Sequence, residues 1–219
     1  MKIMIDSLWA VIPAAGFGVR AKTRVPKQFV RIGGKTVLEW SAQKALALPE
    51  VSGLVIAVPK ESGNDRFLAD MAAALSKAYS KTIVFVDGAE TRQGSVALAL
   101  GKVPVGTKWV MVHDASRPLF STQLFNRVFK AAKTYSAAIC GIPVPDTIKS
   151  VVAEQPLPII GSTLSREGVA LIQTPQIFSF DLLLRAHEMA FEKGFLGTDD
   201  SQLVEGLGIK VAIVEGERT

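Results

Sequence analysis

Arg20, Lys22 and Lys27 follow Gly16 and Gly18 within a dozen positions, just after the apolar run Trp9–Ile12. Small residues at Pro13, Ala14, Ala15, Gly16 and Gly18 let backbone N–H groups come close to an anion, and the cations that follow neutralise phosphates. A strand that ends in such a loop is where an open α/β sheet binds a nucleotide. The bland reading of Arg20 and Lys27 is two solvated surface cations; their place behind a strand and a glycine loop favours a phosphate role.

Other residues suited to chemistry follow. Asp114 ends the apolar run Trp109–His113, where a carboxylate can meet Mg²⁺, a ribose or a substrate hydroxyl. Arg117, three residues on, either reaches a phosphate or pins its loop. His113 reads as a buried hydrogen-bonding residue. Thr147, Arg166 and Thr174 supply an arginine and two hydroxyls, suitable ligands for a phosphate monoester, although Arg166 on its own reads as a solvated loop residue. Thr198 reads as a helix N-cap. The segment Gly88-Ala89-Glu90-Thr91-Arg92-Gln93-Gly94-Ser95 follows a strand and opens a helix, so Ser95 alone also reads as an N-cap.

The run Gly16-Phe17-Gly18-Val19-Arg20-Ala21 formally fits the dinucleotide fingerprint. Pro26 argues against it. It falls eight residues after Gly18, where the helix of that motif would still be running. Glu39, the nearest candidate for the ribose-binding acid, belongs instead to the capping box Thr36-Val37-Leu38-Glu39. A longer loop wrapping a triphosphate remains.

The elements that must position these groups alternate. Strands are expected at Trp9–Ile12, Gly53–Val58, Thr82–Val86, Trp109–His113, Ala137–Gly141 and Lys210–Val214. Nearly all are apolar throughout, as in parallel strands covered on both faces. Helices fit between them: from Thr36 to about Leu48, then Asp65–Ala78, Ser95–Lys102, Thr122–Tyr135, Asp181–Lys193 and Asp199–Leu207, with Gly194 as a stop. The pattern predicts one α/β domain over 1–219, a mostly parallel Rossmann-like sheet with helices on both faces. Residues 143–173, with Pro143, Pro145, Pro156 and Pro158, break the rhythm. They read as an inserted β-arm with strands at Thr147–Val152 and Gly168–Gln173, whose open edges a partner subunit would cover.

The 219 residues carry a net charge of +5, but the charges are interspersed, with no basic tail or stripe for nucleic acid. The surplus suits phosphorylated small molecules or is an ordinary solvated surface. No apolar run approaches the roughly 18 residues that span a bilayer, and no signal peptide is evident. A cytoplasmic protein is expected. Cys140 is the only cysteine, which excludes an intrachain disulfide.

In sequence order, the chain carries Pro13-Ala14-Ala15-Gly16 with Gly18, Arg20 and Pro26-Lys27-Gln28, then His113-Asp114-Ala115-Ser116-Arg117-Pro118 and Pro143-Val144-Pro145-Asp146-Thr147-Ile148-Lys149. Thr174-Pro175-Gln176 with Phe178 and Thr198-Asp199-Asp200-Ser201 follow. This series is similar to the nucleotidylyltransferases of sugar and polyol phosphates. More closely it resembles the 2-C-methyl-D-erythritol 4-phosphate cytidylyltransferases of non-mevalonate isoprenoid biosynthesis, over essentially the whole chain.

The resemblance implies that CTP binds at Pro13, Ala14, Ala15, Gly16, Gly18 and Lys22, with cytosine read near Ala89, Glu90 and Ser95. It implies that Arg20, Lys27 and Arg166 are catalytic. Asp114, Arg117, Thr147, Arg166, Thr174 and Thr198 would hold the polyol phosphate. Arg166 and Thr147 would act across a homodimer, in the partner's site. The family pattern continues past the last strand to a phosphate-binding lysine, beyond Glu217-Arg218-Thr219. Few acidic residues cluster near the loop, so Mg²⁺ is expected to be held by CTP phosphates and water, with no protein metal site. Two other readings stay open: a cytidylyltransferase for another polyol phosphate such as ribitol 5-phosphate, and a catalytically dead nucleotide-binding module.

Overall fold

The computed structural model describes residues 7–16, 25–60, 65–153 and 156–218. Strand β1 (Leu8–Pro13) alternates its side chains between two cores, as the two-residue period of a strand requires. Leu8, Ala10 and Ile12 join one cluster; Trp9 and Val11 join the other. Its neighbours β4 (Val51–Val58) and β6 (Trp109–Val112) run parallel to it, and β5 (Thr82–Asp87) pairs with β4 at the sheet edge. Strands β7 (Ala137–Pro143), β10 (Ala170–Ser179) and β11 (Ala212–Glu215) complete a seven-stranded sheet of order β11-β7-β10-β6-β1-β4-β5. Among its described strands, only β10 runs antiparallel to its neighbours. The chain winds outward from β1 through β4 to β5, then returns to β6 on the other side of β1. That reversal opens a crevice at the carboxyl ends of β1 and β6, where such sheets bind ligands.

Helices cover both faces. The helices α1 (Val37–Leu46), α2 (Asp65–Tyr79) and α4 (Thr122–Tyr135) pack on the Leu8/Ile12 face through residues such as Leu38, Met71 and Phe125. The Trp9/Val11 face receives α3 (Arg92–Leu100), α5 (Phe180–Glu192) and α6 (Asp200–Glu205) through Val96, Leu183 and Leu203. The capping box at α1 forms as expected: Thr36 Oγ1 accepts from the Glu39 N–H at 3.1 Å, and Glu39 accepts from the Thr36 N–H at 2.6 Å. Gly194, at φ +60°, ends α5 in a Schellman motif, with the Phe195 N–H bonded to Ala190 O and the Gly194 N–H to Phe191 O.

Several details differ from expectation. The strand expected at Gly168–Gln173 is the start of β10, a ten-residue strand inside the central sheet; Pro175 sits where its ladder with β7 breaks, between Gln173 and Ile177. The hairpin of the arm is β8 (Ile148–Val152) paired with β9 (Ile159–Leu164), a strand outside the sequence expectation. A small ribbon, β2 (Arg31–Ile32) with β3 (Lys35–Thr36), leads into α1. Ser95 and Thr198 are not N-caps. Thr91, upstream of Ser95, caps α3, and Asp199, directly after Thr198, caps α6; each side chain accepts from a backbone N–H of its helix's first turn.

Candidate active site

Gln28 builds the first wall of the site. It is buried on a 3-10 turn (Lys27–Phe29), and its Nε2 donates to Ala14 O at 2.6 Å and Gly16 O at 2.8 Å. With those carbonyls held, the loop after β1 has its course fixed. The Ala14 N–H bonds Ala57 O on β4, and the Gly88 N–H bonds Val58 O, so the loops after β1 and β5 are tied to one strand end. They pack so closely that a Cβ at Gly88 would overlap that of Ala15. The same turn presents Lys27, exposed, at the mouth of a groove of about 460 Å³ lined by Pro13–Gly16, Lys27, Gln28, Arg92, Ser95 and Asp114–Ser116. Phosphates fit such a groove: small residues on one side, an exposed cation on the other.

Ser95 lines this groove from α3, but its hydroxyl also shapes its own loop. It accepts from the Ala89 N–H at 3.0 Å and donates to Thr91 O at 2.9 Å. Ala89 and Glu90 stand on that loop outside the groove lining.

A second groove, of about 560 Å³, shares Arg92 and Asp114 with the first and adds Arg117, Thr174, Gln176, Thr198, Asp199 and Gln202. Asp114 is where they join. Its backbone N–H donates to Thr174 Oγ1 at 3.1 Å, and Thr174 donates to His113 Nδ1 at 3.0 Å. The His113 ring, fully buried, donates from Nε2 to Arg117 O at 2.8 Å, which fixes its tautomer. Burial above all, with Arg117 nearby, pushes the His113 pKa down to about 4, so the ring is neutral at physiological pH. The histidine is thus a buried hydrogen-bonding residue, as its sequence context indicates, and it splints the 113–117 loop to β10. Ser41 of α1 donates to Ala115 O at 2.8 Å and holds the same loop from the other side.

The Asp114 carboxylate lies between two guanidinium groups. Arg92 Nε is 3.3 Å from Oδ1 and Arg117 Nε is 3.2 Å from Oδ2. Arg92 is itself bound by Asp200 at 2.6 Å, and His187 Nε2 sits 3.1 Å from the other oxygen of Asp200. Burial alone would raise the Asp200 pKa, but Arg92 and then His187 hold it below the usual carboxylate value. Burial alone would lower that of Arg92, and Asp200 and Asp114 more than reverse this. Across the second groove, Asp199 accepts from the Gln202 N–H at 3.0 Å and from Gln176 Nε2 at 2.9 Å. Thr198 stands exposed beside it, its N–H and hydroxyl both on Gln202 Oε1.

The structure therefore brings together Pro13, Ala14, Ala15, Gly16, Lys27, Ser95, Asp114, Arg117, Thr174 and Thr198. Thr147 and Arg166 stand apart on the arm, exposed, with Arg166 Nη1 donating to Pro145 O. Gly18, Arg20 and Lys22 lie outside the described residues. The sequence reading missed Arg92 and gave Asp200 little weight. Arg92 was findable: it opens α3, where the helix dipole disfavours a cation, and no acidic residue in that turn offsets it. A cation there implies carboxylates from elsewhere.

The sequence model of the family described as 2-C-methyl-D-erythritol 4-phosphate cytidylyltransferase matches residues 8–219. A curated member from Desulforamulus reducens is 36% identical over 212 residues, covering 97% of this chain and 88% of its own. Among solved structures, the 2-C-methyl-D-erythritol 4-phosphate cytidylyltransferase of Thermus thermophilus superposes with a TM-score of 0.75 at 36% identity, covering 95% of this chain and 88% of that one. The 4-diphosphocytidyl-2C-methyl-D-erythritol synthase of Anaerococcus prevotii gives 0.79 at 28% identity, over 96% and 89%. Matched by the family model from residue 8 to 219 and 36% identical to a curated member over most of both chains, the chain belongs to the 2-C-methyl-D-erythritol 4-phosphate cytidylyltransferase family.

Proposed function

We propose that this chain transfers the cytidylyl group of CTP to 2-C-methyl-D-erythritol 4-phosphate, releasing pyrophosphate, in the cytoplasm. The observation that carries this reading is the junction of the two grooves at Asp114, because such a transfer must seat two polyanions side by side. CTP takes the groove of Pro13–Gly16, with Gly18 and Lys22 as further CTP contacts and with cytosine against Ala89, Glu90 and Ser95. The acceptor takes the groove of Asp114, Arg117, Thr174 and Thr198.

An oxygen of the acceptor phosphate attacks the α-phosphorus of CTP, the bond from that phosphorus to the bridging β-phosphate oxygen breaks, and pyrophosphate leaves. Arg20 and Lys27 neutralise the charge that grows on the α-phosphoryl and leaving oxygens, and the grooves supply the alignment. Among the described residues no cluster of three or more metal-ligating side chains occurs. Asp114 already faces two arginines, so these residues fit a Mg²⁺ carried by the CTP phosphates and water. Bound there, Mg²⁺ would offset phosphate charge.

The arm supports a homodimer. Val151, Leu157, Ile159, Ile160 and Leu164 are all exposed on or beside the β8–β9 hairpin, an apolar surface that suits burial against a second copy. Docked there, it would carry Thr147 and Arg166 to the partner's acceptor groove. Among the described residues no helix is long and apolar enough to cross a membrane. The test is CTP-dependent pyrophosphate release with a panel of polyol phosphates. Release with methylerythritol phosphate is expected; release with ribitol 5-phosphate alone would assign the acceptor groove to another polyol.

A further inference from the structure

Arg92 stands where the two grooves meet, yet the motifs pass over it. As the first residue of α3 it faces the positive end of the helix dipole, so its position needs a reason from outside the helix. Two carboxylates give that reason. Its Nη1 is 2.6 Å from Oδ2 of Asp200, which is fully buried, and its Nε is 3.3 Å from Oδ1 of Asp114, at the groove junction. His187 Nε2 meets the remaining oxygen of Asp200 at 3.1 Å, so Asp200 is anchored at both ends. Gln93, the next residue, donates to Phe195 O at 3.0 Å and accepts from the Gly197 N–H at 2.8 Å, fastening the same helix turn to the loop that leads to Asp200.

The result is a rigid line of groups from α5 through α6 and α3 to Asp114. A guanidinium suits its centre because one planar fork can donate along two fixed directions, which an ammonium cannot. Asp200 offsets the charge of Arg92, which leaves Asp114 able to accept further hydrogen bonds. With Oδ1 held by Arg92 and Oδ2 by Arg117, the plane of the Asp114 carboxylate is set, and its free lone pairs are left to a ligand.

We propose that Arg92, anchored on Asp200 and His187, is a positioning residue that orients Asp114 and thereby seats the acceptor polyol, an inference that rests on reading Asp114 as an acceptor contact. Arg92 touches no reacting atom. It acts through Asp114, and that makes the proposal testable by a double-mutant cycle.

The cycle combines Arg92→Lys with Asp114→Asn and reads kcat/KM for methylerythritol phosphate at saturating CTP, with folding of each variant checked by thermal melting. Each single substitution is expected to lower kcat/KM by about tenfold to a hundredfold. In the Asp114→Asn background, Arg92→Lys is expected to cost less than about twofold more, because the group it positions is already gone. Losses that multiply would assign Arg92 a merely structural role and overturn the inference, as would full activity in either single variant. If Arg92→Lys does not fold, the isosteric Asp200→Asn takes its place in the same cycle with the same two outcomes. A wild-type chain that releases no pyrophosphate with this acceptor would instead refute the functional reading, and the inference would fall with it.

Discussion

Lys27 and Gln28 are adjacent but have opposite tasks. Gln28 is buried and spends both amide hydrogens on the loop carbonyls, whereas Lys27 is exposed at the groove mouth. Lys27→Ala therefore leaves the loop intact and removes a preorganised cation. The expected outcome is a fall in kcat of about a hundredfold or more with the melting temperature nearly unchanged, read by steady-state kinetics and calorimetry. Gly88→Ala acts differently. The new methyl has no room against Ala15, so the loops after β1 and β5 must part. A rise in the KM for CTP and a loss of roughly 1–3 kcal/mol of stability are expected from overpacking, checked by kinetics and by urea denaturation.

His113 gives the third prediction. Its folded pKa, about 4, lies below the unfolded value of 6.5. Between those values the unfolded chain binds the extra proton, so this contribution to stability is whole above pH 6.5 and is lost as pH falls toward 4. The slope amounts to roughly 3 kcal/mol across that window and should flatten in His113→Gln, measured by urea denaturation at a series of pH values. Asp200 also has a lowered pKa, so its contribution is whole above the ordinary carboxylate value of 3.8 and is lost as pH falls from there through its lower folded value.

At the scale of elements, the strands and helices of the parallel half were legible because each signal had a single cause. Apolar runs such as Val51–Val58 are buried on both faces, and the Thr36/Glu39 box marks its helix start through a local hydrogen-bond pair. The full length of β10 was hidden because Pro175 sits in its middle, and the sequence does not say that the ladder breaks there. The β8–β9 hairpin was half legible for a related reason: every residue of β9 is exposed, so no burial pattern marks it. That exposure leads to the element's own prediction. Ile160→Asp, on β9 and 65% exposed, should leave the melting temperature of an isolated subunit unchanged while shifting the mass from dimer to monomer by light scattering. A wild-type chain that is already monomeric would remove the homodimer from the account.

At the scale of the molecule, the sheet reversal between β1 and β6 puts the loop after β1 and the Asp114 loop at one crevice, fed by strands far apart in sequence. The motifs announced the residues of that crevice; which of them touch each other needed the fold. Arg92, Asp114 and Asp200 come from three separate segments and meet only in three dimensions. Thr147 and Arg166 show the converse, since one subunit places them on its arm and away from both grooves.

On the proposed reading, two polyanions meet in joined grooves and react directly, without a covalent enzyme intermediate. A single-turnover experiment with CTP carrying a radioactive α-phosphate tests it most directly. With methylerythritol phosphate present, the label should pass in one step to a cytidine diphosphate product, with an equal amount of pyrophosphate released. Without the acceptor, neither pyrophosphate nor labelled protein should form. Label on the protein, a burst of pyrophosphate in the absence of acceptor, or no labelled product in its presence would contradict the account.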